Sequence, residues 1–275
     1  MSVASKMPTL FLSHGGGPLP LLGAQKDVAD FFKKAPSLLP RPPTAILSVT
    51  AHWEEDQVTL GTCAAPPMLY DYYGFPPEAY QVKYNAPGPS SELVKRVKEL
   101  LVAANIPVKE DSKRGFDHGT FVPLMLMFPE AKIPILQMSL VTGLDPEHHI
   151  KIGEALAALR DEGVFIMCSG SSFHNLGALI GRTGGSERDR VFQAGKVFDD
   201  WMLDTVVKKS GNVRKAELSK WANAPGAKES HPREEHLIPL MVAVGSGGLS
   251  AKGIHAHSCL SNETSGTPIS SFLFE

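Results

Sequence analysis

Ten histidines are the chain's richest supply of side chains able to do chemistry, and their placement is uneven. His14 follows the apolar run Pro8-Thr-Leu-Phe-Leu-Ser13 and leads into Gly15-Gly16-Gly17. His52 ends the run Thr44-Ala-Ile-Leu-Ser-Val-Thr-Ala, just before Trp53 and the acidic Glu54-Glu55-Asp56. His174 follows Gly163-Val-Phe-Ile-Met-Cys168 and a turn of Ser and Gly. Such uncharged runs read as strands of a parallel sheet buried on both faces, so three core strands are expected to run out into Ser, Gly and a histidine. In open α/β sheets that carboxyl edge is where ligands bind. One histidine there reads most simply as a core side chain with a satisfied hydrogen bond. Three, joined by His118 in the polar loop Arg114-Gly-Phe-Asp-His-Gly119 and by His236 where an apolar helix opens, are not explained by packing. Neutral imidazole is the commonest nitrogen ligand of zinc and iron, and two or three on one face leave positions open for substrate and oxygen. The residue types therefore point to a mononuclear metal site. A catalytic zinc hydrolase with a metal-bound water fits them as well as an iron oxygenase does.

The elements that must hold this edge can be read along the chain. With 275 residues and no repeat, linker or low-complexity tract, the expectation is one α/β domain over 1–275, a central, mostly parallel mixed sheet flanked by helices. Further strands are expected at 57–61, 106–108, 133–140, 254–257 and 270–274, the alternation placing His255 and His257 on one face. Helices are expected at 27–34, from a cap at Ser90 to Val102, at 120–128, 146–159 and 191–207, around 216–221, and at 237–244. Phe192, Val197, Phe198 and Trp201 mark the buried side of the helix at 191–207, and His148 and His149, in the first turn of the helix at 146–159, read as exposed and structural. Residues 64–89, crowded with Pro, Gly and Tyr, are too long for an idle loop. Their aromatics, Tyr70, Tyr72, Tyr73, Phe75, Tyr80 and Tyr84, either wall a pocket or pack the segment on itself.

Composition narrows the partners. Lys+Arg 27 against Asp+Glu 29 gives a net charge of −2, which argues against a nucleic-acid groove or an anionic membrane surface. Apolar runs fall far short of the ~18 residues of a membrane span, and the amino terminus has no apolar signal core, so a soluble, cytoplasmic protein is expected. Cys63, Cys168 and Cys259 are too few and too scattered for a disulfide framework or a thiolate metal site. Gly15-Gly16-Gly17 has neither Gly-Lys-Ser/Thr nor a G-x-G-x-x-G frame, so close backbone approach to a bound group suits it better than phosphate binding.

Several stretches occur together in one order: Phe11-Leu-Ser-His14-Gly, Ser48-Val-Thr-Ala-His52-Trp53, Tyr70-Asp71-Tyr-Tyr-Gly74-Phe75-Pro76, Tyr84-Asn-Ala-Pro87-Gly88, Gly115-Phe-Asp-His118-Gly119, Ser169-Gly170 with His174-Asn175, and Glu235-His236-Leu-Ile-Pro-Leu240. Together they resemble the class III extradiol ring-cleavage dioxygenases, and within them the 4,5-DOPA extradiol dioxygenase-like proteins of plants and bacteria. The resemblance implies that His14 and His52 are metal ligands with His236 as the third, that His174 is the acid/base group, and that His118 is a hydrogen-bond donor to substrate or oxygen. The wider class uses a carboxylate as third ligand, and Glu235 adjoins His236; the subfamily's motif carries the histidine. Tyr70, Tyr72 and Phe75 are the implied ring-facing wall. His174-Asn175-Leu176 lacks the longer, proline-containing segment of the plant pigment enzymes and looks more like the bacterial and non-pigment members. The implied activity is opening of a catechol ring beside its diol by O2 on non-haem Fe(2+), with Zn(2+) as an alternative occupant. Its partners would be a small aromatic diol and O2, and the protein a monomer or homodimer. A zinc-dependent hydrolase or amidase on the same scaffold, and a metal-binding relative without turnover, are the alternatives.

Overall fold

Strands that are apolar at every position must be covered on both faces, and the computed structural model, which describes residues 5–261 and 266–275, covers them so. The strands are β1 (Thr9–Ser13), β2 (Ala45–Glu55), β3 (Val58–Gly61), β4 (Val108–Asp111), β5 (Ile135–Val141), β6 (Val164–Gly170), β7 (Gly253–Leu260) and β8 (Pro268–Phe274). They form one 8-stranded sheet in the order β4-β3-β5-β2-β6-β1-β8-β7. The centre, β5-β2-β6-β1, is parallel throughout, and β3 and β4 run parallel to each other. Antiparallel pairings join β3 to β5, β8 to β1 and β7 to β8, so the sheet is mixed as expected.

The helices are α1 (Lys26–Lys34), α2 (Ser91–Ala103), α3 (His118–Met127), α4 (Pro146–Leu156) and α5 (Leu176–Leu179). After them come α6 (Gly185–Leu203), α7 (Gly211–Ser219), α8 (Ala227–Ser230) and α9 (Ile238–Gly247). Alternate strand residues serve two cores. Phe11, Leu47, Val49, Ile166 and Cys168 face the core built with α2, α4, α6 and α9. Leu10, Leu12, Ile46, Phe165 and Met167 face the core built with α1, α3 and the aromatic segment. Every residue of α9 is buried, and the buried Arg160 donates to the carbonyls of Ser246, Gly247, Met7 and Phe274. That cation satisfies the carboxyl end of α9 and ties both chain ends to it. Among the described residues, no helix is long and apolar enough to cross a membrane.

Several local expectations are corrected. β2 does not stop at His52 but runs on to Glu55, and its register against β5 breaks between Val49 and Glu54. His52 sits in that break, just beyond Thr50, the last residue of β2 paired with β6. An irregularity of this kind re-aims side chains, which hydrophobic pattern alone does not announce. A second break, between His255 and His257, undoes their common face: His255 pairs with Phe272 and bonds Ser270, while His257 stacks on Phe31 of α1 at 4.5 Å. β4 begins at Val108, where the short strand was expected to end. α6 starts at Gly185 and passes into a π-helical turn, Asp204–Lys208; Val197 is 48% exposed because the buried stripe runs through Phe192, Gly195, Phe198 and Met202. α4 ends at Leu156 and continues as a 3-10 turn to Arg160, and the helix expected around 216–221 is α7, which closes at Ser219.

His149 is buried, not exposed. Its Nδ1–H donates to the Asp145 carbonyl at 2.7 Å and its Nε2 accepts from the Val141 amide at 3.0 Å. Burial, the largest cause, lowers its pKa to about 4. A histidine depressed in the folded state contributes stability above its unfolded pKa near 6.5, and that stability is lost as pH falls from about 6.5 towards 4. Between pH 6.5 and 5 the loss from this residue is roughly 2 kcal/mol. Urea midpoints at the two pH values should therefore drop less in His149→Gln than in the parent protein. Equal drops in both would contradict the assignment.

Candidate metal centre

The candidate residues converge at the level where β1 and β6 end. Ser13 pairs with Gly170 and Thr50 with Ser169, so His14, His52 in the break of β2 and the segment after β6 come to the same level of the sheet. His118 opens α3, whose cap is Asp117: its carboxylate accepts from the Thr120 amide at 3.0 Å and is pinned to β2 by the Thr50 hydroxyl at 3.0 Å. Gly119 allows this approach, since a Cβ there would lie 3.1 Å from His52 Cδ2 and 3.2 Å from Thr50 Cβ. Gly170 does the same for His236, because the Ser171 amide donates to the His236 carbonyl at 2.9 Å and a Cβ on Gly170 would run into that oxygen. His174 is hung from the Ser230 carbonyl through its amide at 3.0 Å.

Hydrogen bonds on the outer side of each ring decide what the inner side offers. Ser169 Oγ donates to the Gly119 carbonyl at 2.6 Å, so its contact with His14 Nδ1 at 2.9 Å is one in which His14 donates. His14 Nε2 is then a lone pair. Asp71 Oδ1 accepts from the His118 amide and from His118 Nδ1, both at 2.9 Å, and Asp71 Oδ2 lies 3.5 Å from His52 Nδ1. Glu235 Oε1 lies 2.9 Å from His236 Nδ1 and 3.2 Å from His174 Nδ1, and those two rings stack with centroids 3.3 Å apart. Carboxylates facing Nδ1 favour the proton there, which leaves Nε2 bare on each ring. His118 therefore presents an acceptor when neutral, and donates, as expected for it, only as the charged ring.

The inner nitrogens crowd one another. His14 Nε2 and His52 Nε2 are 3.1 Å apart, and the His118 ring lies 3.9 Å from that of His52, centroid to centroid. Ligand atoms of His14, His52 and His118 all fall within 4.8 Å of one another, as do those of His174, Glu235 and His236. The second group abuts the first, with the His236 ring 5.3 Å from His14 and 4.9 Å from His52. His236 thus neighbours both expected ligand partners but groups most tightly with His174 and Glu235. Glu235 itself is engaged by two imidazoles and by Arg233, 3.4 Å from its Oε2. The same Arg233 grips both oxygens of Glu54, tying the end of β2 to the segment before α9.

Electrostatics match a cation in this space. Burial, then the neighbouring imidazoles, hold His14 and His236 well below the ordinary histidine range and bring His52 to about 3, so these rings are neutral at pH 7. Burial raises Asp71, but hydrogen bonds from His118 outweigh it and the carboxyl falls to about 2. Burial likewise works against Glu235, and the bond from His174 keeps it below the usual carboxylate range. Two ionised carboxylates thus stand behind the neutral imidazoles of His52 and His236. About 3 Å also separates two nitrogens that bind one ion at ~2.1 Å and roughly a right angle.

The aromatic segment is ordered by its own hydroxyls: Tyr70 donates to the Val82 carbonyl and Tyr72 to the Ala79 carbonyl, each at 2.6 Å. Tyr72 also meets the edge of His118 at 5.8 Å, Phe75 stands against Tyr72 at 5.4 Å, and Tyr70 packs behind it on Phe121. The segment thus packs on itself, with Tyr72 reaching the His118 ring. Asp71 and Ser169 are the residues sequence reasoning passed over. The one signal for Asp71 was an acid set among aromatics, and for Ser169 a polar residue ending an apolar strand.

Comparison with known proteins gives a consistent picture. The family described as the catalytic LigB subunit of aromatic ring-opening dioxygenase matches residues 5–272. A protein of Beta vulgaris named 4,5-DOPA dioxygenase extradiol is 40% identical over 253 residues, 91% of this chain and 90% of its own length. One of the same name from Escherichia coli (strain K12) is 34% identical over 244 residues, 88% of this chain and 86% of its own. The crystal structure of an uncharacterized protein from Escherichia coli K12 superposes with a TM-score of 0.79 at 29% identity, covering 98% of this chain and 100% of that one.

The contact at Gly170 yields a direct test. Gly170→Ala drives a methyl group into the His236 carbonyl and should cost at least about 2 kcal/mol, lowering the melting temperature by roughly 4 °C or more. An unchanged melting temperature would show that the two backbones do not meet this closely.

Proposed function

The chain belongs to the family of the catalytic LigB subunit of aromatic ring-opening dioxygenases and is an extradiol dioxygenase, and we propose that it is metal-dependent and opens the ring of a catechol with O2. One observation carries the metal: the neutral imidazoles of buried His14 and half-buried His52 bring their Nε2 atoms to 3.1 Å, with Ser169 accepting from Nδ1 of the first and Asp71 facing Nδ1 of the second at 3.5 Å. A divalent cation relieves that repulsion and balances the carboxylates behind it. In this reading residues 1–275 act as one catalytic domain, and His14, His52 and His236 hold the ion. His236 is preferred to Glu235 because Oε1 of Glu235 meets two imidazoles and Oε2 is paired with Arg233 at 3.4 Å, whereas His236 Nε2 has no partner among the described residues. Iron is the proposed metal for turnover, with zinc able to occupy the same nitrogen-rich site. When bound, the metal supplies the Lewis acidity and electron transfer that bring O2 and catechol into reaction.

The remaining roles follow from the hydrogen bonds. His174, with Nδ1 held by Glu235, presents a basic Nε2 that takes a phenolic proton from the substrate and later returns it as the ring opens. Glu235 stabilises the imidazolium formed in between. His118, held twice by Asp71, offers Nε2 to a substrate hydroxyl and becomes a donor to oxygen once it carries a second proton. Tyr72 and Phe75 wall the substrate ring on the His118 side, with Tyr70 supporting Tyr72 from behind.

Anaerobic loading with Fe(2+), followed by a catechol panel containing DOPA, caffeate and protocatechuate in air, should give oxygen uptake and a yellow semialdehyde. Absence of oxygen uptake with every catechol would falsify the reading, and hydrolysis of an ester or amide without oxygen would favour the zinc hydrolase instead. His174→Ala should keep its iron and lose ~10²–10⁴-fold in rate, and His52→Ala should lose the iron itself. Iron lost from the His174 variant would make that residue a ligand.

A further inference from the structure

The aromatic segment brings a single carboxylate against two imidazoles that come from different elements. Asp71 Oδ1 accepts from both the amide and Nδ1 of His118 at the start of α3, and Oδ2 faces Nδ1 of His52 in the break of β2 at 3.5 Å. The backbone on either side of it is tightly held. The Leu69 amide donates to the Phe116 carbonyl at 2.8 Å, the Asp71 amide to the Leu69 carbonyl at 3.0 Å, and the hydroxyls of Tyr70 and Tyr72 anchor both neighbours. This anchoring accounts for the aromatic composition of the segment, because tyrosine alone combines a ring that packs on the core with a hydroxyl that reaches a backbone carbonyl.

A carboxylate has acceptors only, so it can satisfy two N–H groups at once, whereas an amide in its place must turn a donor towards one of them. We propose that Asp71 is a positioning residue that sets the tautomer of His52 and His118 together, and so fixes which nitrogen His52 offers to the metal. The proposal rests on the metal-dependent reading above. With Asn at 71, the oxygen stays with the two His118 donors and the NH2 faces His52 Nδ1. That nitrogen must then become the acceptor, its proton moves to Nε2, and the lone pair towards the metal is lost. The substitution leaves the volume, the tyrosine anchors and the loop path unchanged.

The test compares Zn(II) affinity, measured by competition with a chromophoric chelator, in the parent protein, Asp71→Asn and Asp71→Glu, together with the melting temperature of each metal-free protein. Asp71→Asn should weaken Zn(II) binding ~10–100-fold with a metal-free melting temperature close to the parent's, and Asp71→Glu should recover part of the loss because it restores two acceptors. Binding within twofold of the parent in Asp71→Asn overturns the proposal. So does equal weakening in the Asn and Glu variants, or a metal-free Asn variant that has lost its fold, since either makes Asp71 a packing residue. A parent protein that binds no Zn(II) or Fe(II) would instead overturn the metal-dependent reading itself.

Discussion

A neutral imidazole has one proton and two nitrogens, so a partner that claims the proton at Nδ1 decides that Nε2 is a lone pair. Everything at this centre turns on that constraint. Ser169 imposes it on His14, Asp71 on His118 and Glu235 on His236, while Asp71 also faces Nδ1 of His52 and Glu235 that of His174. Burial adds the second half, since desolvation disfavours the charged ring and keeps the facing nitrogens unprotonated at neutral pH. Two lone pairs 3.1 Å apart repel each other, and a positive charge between them relieves that repulsion.

The fold exists around this arrangement in a physical sense. The carboxyl end of β6 is the common origin: Ser169 orients His14, and Gly170 lets the His236 backbone close to contact. α3 arrives with its cap, Asp117, already bonded to Thr50 of β2, and the Asp71 carboxylate then meets His118 and faces His52. Ser172 is held at its amide by Ser13, at its hydroxyl by Ser270 and at its carbonyl by His231, which fixes the short path leading to His174. Rigid elements with redundant hydrogen bonds are what a site needs if its nitrogens are to stay within bonding distance of one ion.

Much of this was legible before any coordinates. β1, β2 and β6 announce themselves because strands covered on both faces are apolar at successive positions, and Ser90 is recognisable as a cap for α2. The histidines at 14, 52, 118, 174 and 236 stood out because polar residues follow apolar runs only where something is to be bound or turned. What stayed hidden depends on pairing between distant segments. The register break that re-aims His52, the similar break that separates His255 from His257, and the burial of His149 against β5 leave no periodic trace in the local sequence. Asp71 was hidden for a related reason: its segment has no secondary-structure period, and only the folded path shows that its carboxylate reaches two rings.

The central claim, that Nδ1 partners leave Nε2 lone pairs converging in the metal-free protein, is open to direct observation. Long-range 1H–15N correlation spectra of the histidine side chains at neutral pH report which ring nitrogen carries the proton. The account predicts His14 with its proton on Nδ1 and a bare Nε2, and an Nε2 signal that moves when a divalent metal is added. A His14 protonated on Nε2, with Nδ1 bare beside Ser169, would contradict it.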